Sequence, residues 1–260
     1  MHRLKTRAGT YAEIINTGNF LLDGGSMFGR APKMMWERWF PADEENRILM
    51  ATNILKIQAK GTSYQVDAGM GSMWDEKERK LFGIEGQDPY RGDADYLIFT
   101  HLHFDHCGGI SNIDVREKVL VSKKEWADAM NNNNPLTRGS YRKADLDAIE
   151  PNLKCIEPPY KIADRIEILP TPGHTKGHIS VLIDRELFYP GDLIPTSAHV
   201  HLPYIMAYDL FPLEILRAKK RMLEMALEED WIVIFEHDPY IPFAKIDKKD
   251  GKFKTKSIME

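Results

Sequence analysis

Apolar residues in this chain come in short runs, and most of those runs read as strands. Ile48–Ile57 and Thr62–Val66 are rich in β-branched side chains, and Lys60-Gly61 between them predicts a hairpin. Tyr96–Phe99 is a short buried strand opening directly into a cluster of histidines. Arg165–Leu169, Ile179–Ile183, Leu187–Tyr189 and Trp231–Phe235 repeat the pattern, each followed by a turn or a polar residue. Three segments read as helices. Asp75–Leu81 is short and charged. Ser122–Met130 is expected to be capped by Ser122 with Glu125 closing a capping box, and Asn131 to Asn134 stop it. Leu213–Leu227 carries Leu213, Leu216, Leu223 and Leu227 on one stripe, with Lys219, Lys220 and Glu224 opposite. Strands precede helices twice with no Pro-, Gly- or Ser-rich linker between. The expectation is an α+β fold of two packed sheets with helices outside, one domain over 1–260. Residues 1–46 read as an N-terminal extension and 241–260 as a solvated basic tail with Lys248, Lys249, Lys252, Lys254 and Lys256.

Composition narrows this picture without redirecting it. A 43% hydrophobic fraction suffices for a sizeable core. A net charge of −4 offers no global attraction for nucleic acid. No run of 18 apolar residues spans a membrane, and the polar, basic start lacks the core of a secretory signal. Cys107 and Cys155 cannot build a disulfide framework and suit a reducing cytoplasm, with Cys107 a buried thiol rather than a nucleophile.

The chemistry begins at His101-Leu102-His103-Phe104-Asp105-His106. Alternation along an extended segment puts His101, His103 and Asp105 on one side, and Gly108-Gly109 lets the chain turn so that His106 joins them. Imidazoles and a carboxylate suit Zn²⁺, Fe²⁺ or Mn²⁺. His174, Asp192 and His237 each follow a later strand-like run. Singly, each reads as a solvated or turn-capping residue; with the first cluster they make seven donors at one sheet edge. Seven is too many for one tetrahedral ion and suits two ions sharing a carboxylate.

In order and spacing, His101–His106, Thr171-Pro172-Gly173-His174, Gly191-Asp192 and Glu236-His237 resemble the metal motifs of the metallo-β-lactamase superfamily, and Val66-Asp67-Ala68-Gly69 resembles its first motif. The resemblance implies an αββα sandwich. One ion would take His101, His103 and His174, the other Asp105, His106 and His237, with Asp192 between them. Asp67 and His178 would orient ligands, and His199 would line the pocket. Asp23 to Gly29, Pro32-Lys33 and Pro195 to Asp209 further resemble quorum-quenching lactonases. That branch implies hydrolysis of a small ester or lactone, N-acyl homoserine lactones first, by a hydroxide held between the ions, with Asp105 managing protons. Pro195 stands where many such lactonases carry a tyrosine, so Tyr204 or Tyr208 must supply a hydroxyl if one is needed. The Met- and Trp-rich segment Met34–Phe40 offers a lid or a homodimer surface. The alternatives are a one-iron persulfide dioxygenase, a glyoxalase II-like thioesterase and a phosphotriesterase. The complete second donor set weighs against the first, and only 23 residues after His237 weigh against the second.

Overall fold

Alternating apolar positions pack two faces of sheet against each other in a computed structural model that describes residues 1–84 and 89–258. The first sheet contains β1 (His2–Lys5), β2 (Tyr11–Asp23), β3 (Arg47–Ala59), β4 (Thr62–Val66), β5 (Gly92–Ile98), β6 (Ile113–Ser122) and β7 (Leu153–Ile156), in that spatial order. The second contains β8 (Tyr160–Ile162), β9 (Ile166–Pro170), β10 (Ile179–Ile183), β11 (Leu187–Tyr189), β12 (Ile232–Ile234), β13 (Phe243–Lys249) and β14 (Lys252–Lys256), again in serial order. Both are mixed: β1 to β4 are antiparallel and β4 to β7 parallel, while β11 and β12 form the one parallel pair of the second sheet. Ile14, Leu55, Ile57, Val66 and Ile98 meet Ile168, Val181, Ile183 and Ile234 between the sheets.

Among the described residues seven α-helices complete the layers: α1 (Gly24–Phe28), α2 (Lys33–Trp36), α3 (Glu76–Phe82), α4 (Phe104–Cys107), α5 (Lys123–Met130), α6 (Lys143–Ile149) and α7 (Pro212–Glu228). Ala129 of α5 with Leu146 and Ile149 of α6 covers the outer face of the first sheet. Ile215, Met222 and Leu223 of α7 cover Leu182, Phe188 and Val233 of the second. The result is the expected αββα sandwich.

Several local expectations change. The predicted hairpin forms, with φ of 52° at Lys60 and 82° at Gly61 as a type I′ turn requires. Ser122 occupies the N-cap position of α5 but makes no side-chain cap bond, and Glu125 is fully buried rather than closing a capping box. On α7 the buried stripe is Ile215, Ala218, Lys219, Met222, Leu223 and Ala226, whereas Leu213 is 65% exposed. Lys219, expected in solvent, is buried. The segment read as a solvated tail forms the β13–β14 hairpin, with Ala244, Ile246 and Phe253 in the core. The segment read as an extension contributes β1 and the 13-residue β2. Within Met34–Phe40, Trp36 and Phe40 are buried while Met34 and Met35 are exposed, so its rings and not its methionines join the core. Among the described residues no helix is long and apolar enough to cross a membrane.

Candidate metal centre

The first donors come off the end of β5. The chain stays extended through His103 and then closes into α4, which carries Asp105 and His106. The turn therefore begins at Phe104, earlier than expected. Gly108 and Gly109 have ordinary φ values of −60° and −83°. Their smallness serves a close approach instead: a Cβ on Gly109 would sit 2.1 Å from the Ala68 carbonyl oxygen. His174, Asp192 and His237 follow β9, β11 and β12, so the second sheet supplies three donors to the four from the first.

All seven side chains converge. Asp192 lies in the middle, with its two oxygens facing different partners. Oδ2 is 3.1 Å from His174 Nε2 and 3.8 Å from His101 Nε2. Oδ1 is 3.2 Å from His237 Nε2 and 3.6 Å from His106 Nε2. His103 Nδ1 is 3.0 Å from His174 Nε2, and Asp105 Oδ2 is 3.6 Å from His237 Nε2. The groups His101–His103–His174, His101–His106–Asp192 and Asp105–His106–His237 each bring their donor atoms within 4.8 Å of one another.

Other side chains hold the imidazoles from behind. Asp67 accepts from Thr100 N at 2.8 Å and Thr100 Oγ1 at 2.7 Å, and its Oδ2 lies 3.0 Å from His106 Nδ1. His237 Nδ1 donates to the Ala51 carbonyl at 2.8 Å. His178 Nε2 accepts from Asp192 N at 3.1 Å while its Nδ1 donates to the Thr171 carbonyl, which fixes one tautomer. His178 thus holds the backbone of Asp192. His199 is buried away from the donors, stacked 4.8 Å from Phe28, with Nε2 donating to the Met27 carbonyl. Tyr204 is buried edge-on to Phe28. Neither lines the cavity beside the donors, contrary to expectation for His199.

Four contributors escape a reading of the sequence. Asp209 Oδ1 lies 3.0 Å from His174 Nδ1. Glu125, fully buried, accepts from Leu102 N at 3.0 Å, Tyr141 Oη at 3.0 Å and Thr175 Oγ1 at 2.6 Å. It ties together the loops bearing His101–His106 and His174, and Tyr141 in turn packs 5.0 Å from the His103 ring. Glu236, also fully buried, has an oxygen 3.0 Å from His106 Nδ1 yet makes no hydrogen bond, and burial pushes its carboxyl up to about 8. Only Glu236, beside His237, carried a positional hint.

The electrostatics bear on what the cluster could hold. Burial and neighbouring imidazoles push His101 and His103 well below their ordinary range. Burial also opposes charge on His237, but Asp192, Glu236 and Asp105 together outweigh it and raise the imidazole to about 9. Burial works against the Asp192 carboxylate as well, yet His174, His106 and His237 hold it well below its usual range. His101 Nε2, His103 Nε2 and Asp192 Oδ1 are buried without a hydrogen-bond partner. Buried lone pairs left unmet on imidazoles around a carboxylate are costly unless a cation accepts them. Five imidazoles with two carboxylates fit divalent transition-metal ions. Cys107 makes no such offer; burial pushes its thiol far up and it donates to the Leu102 carbonyl.

A cavity of about 340 Å³ opens onto the donors. His103, Asp105, His174, Asp192 and His237 form its polar end, Leu22, Met27, Phe82, Phe104 and Met206 its apolar walls, and Tyr208 joins the lining.

Similarity to known proteins agrees with this geometry. An N-acyl homoserine lactonase of a Bacillus species is 33% identical over 151 residues, and one from Bacillus cereus is 32% identical over 156. Each alignment covers 56% of either chain, so this chain spans about half the length of the curated relatives it matches. A solved probable metal-dependent hydrolase from Staphylococcus aureus superposes with a TM-score of 0.85 at 26% identity, covering 96% of this chain and 98% of that one. A dizinc quorum-quenching lactonase with bound product superposes at 0.76 with 21% identity, over 99% and 98% of the two chains, a likeness of fold. The profile of the metallo-beta-lactamase superfamily matches residues 49–237, nearly three quarters of the sequence and every candidate donor in it, and this chain belongs to that superfamily.

Proposed function

We propose that the protein is a dinuclear hydrolase that opens lactone rings, with N-acyl homoserine lactones its foremost substrates. One observation carries the reading: the two oxygens of Asp192 address two separate sets of imidazoles at the polar end of a largely apolar cavity. One ion would be held by His101, His103 and His174, the other by Asp105, His106 and His237, with Asp192 shared. Nitrogen and oxygen donors at these positions favour zinc. When bound, such ions supply a nucleophilic water at neutral pH and polarise a carbonyl.

The chain's own groups do the rest. Asp105 lines the cavity among the donors, where it orients the attacking water and carries a proton to the leaving oxygen. Tyr208 also lines the cavity, whereas Tyr204 is locked against Phe28, so of the two tyrosines Tyr208 is the one whose hydroxyl could serve where Pro195 offers none. Leu22, Met27, Phe82 and Met206 would receive the acyl chain and exclude water from the lactone. The Bacillus lactonase relatives support the substrate class.

The test is a pH-stat assay of zinc-loaded protein on N-hexanoyl-homoserine lactone beside an aryl ester, a phosphotriester, S-lactoylglutathione and glutathione persulfide, with metal content measured in parallel. Two ions per chain and preferential lactone opening are expected, lost in His106→Ala and His237→Ala. Turnover of the thioester alone, or oxygen uptake with the persulfide, would overturn the assignment.

A further inference from the structure

Lys219 is the largest departure from the hydropathy pattern. It lies on α7 with 1% exposure, and among the described residues no carboxylate pairs with it. Its Nζ donates to the Tyr204 carbonyl and, at 3.5 Å, to the His201 carbonyl. Burial brings the amine down to about 7, against the pull of Asp209. Either protonation state keeps a hydrogen for each carbonyl. Burying a lysine head without a counter-charge is costly, so what it holds must matter locally.

What it holds is irregular backbone. Residues 201–209 form no helix or strand, and their inward carbonyls need donors that an apolar residue at 219 cannot supply. From Lys219 a short series of bonds leads to the centre. Tyr204 N donates to the His201 carbonyl at 2.9 Å, Met206 N to Asp209 Oδ2 at 2.9 Å, and Asp209 Oδ1 faces His174 Nδ1 at 3.0 Å. Met206 and Tyr208 on the same segment wall the cavity.

We propose that Lys219 is a positioning residue: by pinning the carbonyls of His201 and Tyr204 it fixes the 201–209 segment, and through Asp209 it sets the His174 imidazole for its metal ion. The proposal rests on the reading of His174 as a ligand. Its test has two independent readouts on the full chain, zinc affinity by competition with a chromophoric chelator and amide hydrogen exchange.

In Lys219→Met, one of the two zinc affinities should fall about tenfold, the lower end for loss of a ligand's outer partner. The other should hold. Exchange at Met206 and Asp209 should quicken at least about tenfold while the sheets stay protected. Asp209→Asn should weaken the same zinc site, and the double variant should be no worse than Asp209→Asn alone if the two act in series. Additive losses, or a folded Lys219→Met unchanged in both readouts, would overturn it. Should Lys219→Met not fold, Lys219→Gln keeps a donor without the charge; if neither folds, the lysine serves the whole fold and the proposal falls. If the unsubstituted protein binds no zinc, the ligand reading fails, and unchanged exchange at Met206 and Asp209 would separately refute the pin.

Discussion

Replacing Glu125 tests whether the centre depends on a carboxylate that touches none of the candidate donors. Glu125→Ala strands two buried donors, Leu102 N–H and the Thr175 hydroxyl, and the half-buried Tyr141 hydroxyl. Each stranded donor costs about 1–3 kcal/mol, although hydroxyls can turn towards other acceptors and the backbone N–H cannot. Removing the carboxylate also relieves its own burial, which already raises it above its ordinary range. The balance is a loss of about 3 kcal/mol, or about 6–12 °C in Tm for a domain of this size. Glu125→Gln keeps one oxygen for Leu102 N and should lose only about 1 kcal/mol. Urea unfolding of chelator-treated and zinc-loaded protein reads both variants. The loss should be greater in the loaded form, because Leu102 sits between His101 and His103 and Thr175 follows His174. An alanine variant within about 0.5 kcal/mol of the parent in both forms would refute the reasoning.

Three more expectations follow from packing and charge. Trp36→Ser removes a ring stacked 5.3 Å from Phe28 and should cost about 3–5 kcal/mol in urea unfolding, whereas serine at the exposed Met34 and Met35 should change stability by less than about 0.5 kcal/mol. Lys219 titrates near 7 folded and at 10.5 unfolded, so between those values the unfolded chain binds more protons and this group's contribution to stability rises with pH; Lys219→Met should flatten that stretch of the stability–pH curve. Stripping zinc held at a thousandfold its Kd should lower stability by about 4 kcal/mol per site, seen as a Tm drop that added zinc reverses.

Much of the architecture was legible because the strands are short, β-rich and bounded by turns. The β3–β4 hairpin could be read from Lys60-Gly61, and the β13–β14 hairpin was equally available from Asp250-Gly251, whose φ values are both positive. Lysine density masked it: five lysines in 248–256 look like a solvated tail, yet alternation leaves Phe253 on the inner face. The candidate donors could be picked out by residue chemistry at strand ends. What escaped was the support behind them. Glu125, Asp209 and Lys219 are ordinary polar residues on helices or loops, and their burial is decided by partners far away in sequence, such as Leu102, His174 and Tyr204. Hydropathy assigns such residues to solvent, and only tertiary packing reverses that. On α7 the expected stripe holds at Leu223 and Leu227 but not at Leu213, since the inward face is centred on position 219 whatever its polarity.

The candidate donors straddle the junction of the two sheets, where Ile179 N bonds the Thr100 carbonyl and Asn53 N the Glu236 carbonyl, at 2.9 and 2.8 Å. Neither sheet owns a complete set, and the carboxylate that would join the two positions belongs to the second. Ions bound there would act as rivets across a seam. Their full donor set would exist only after both halves of the chain had assembled, so bound ions would favour the closed seam over the parted one. Metal loading would then resist separation of the two halves, a contribution to cohesion that no substrate assay records.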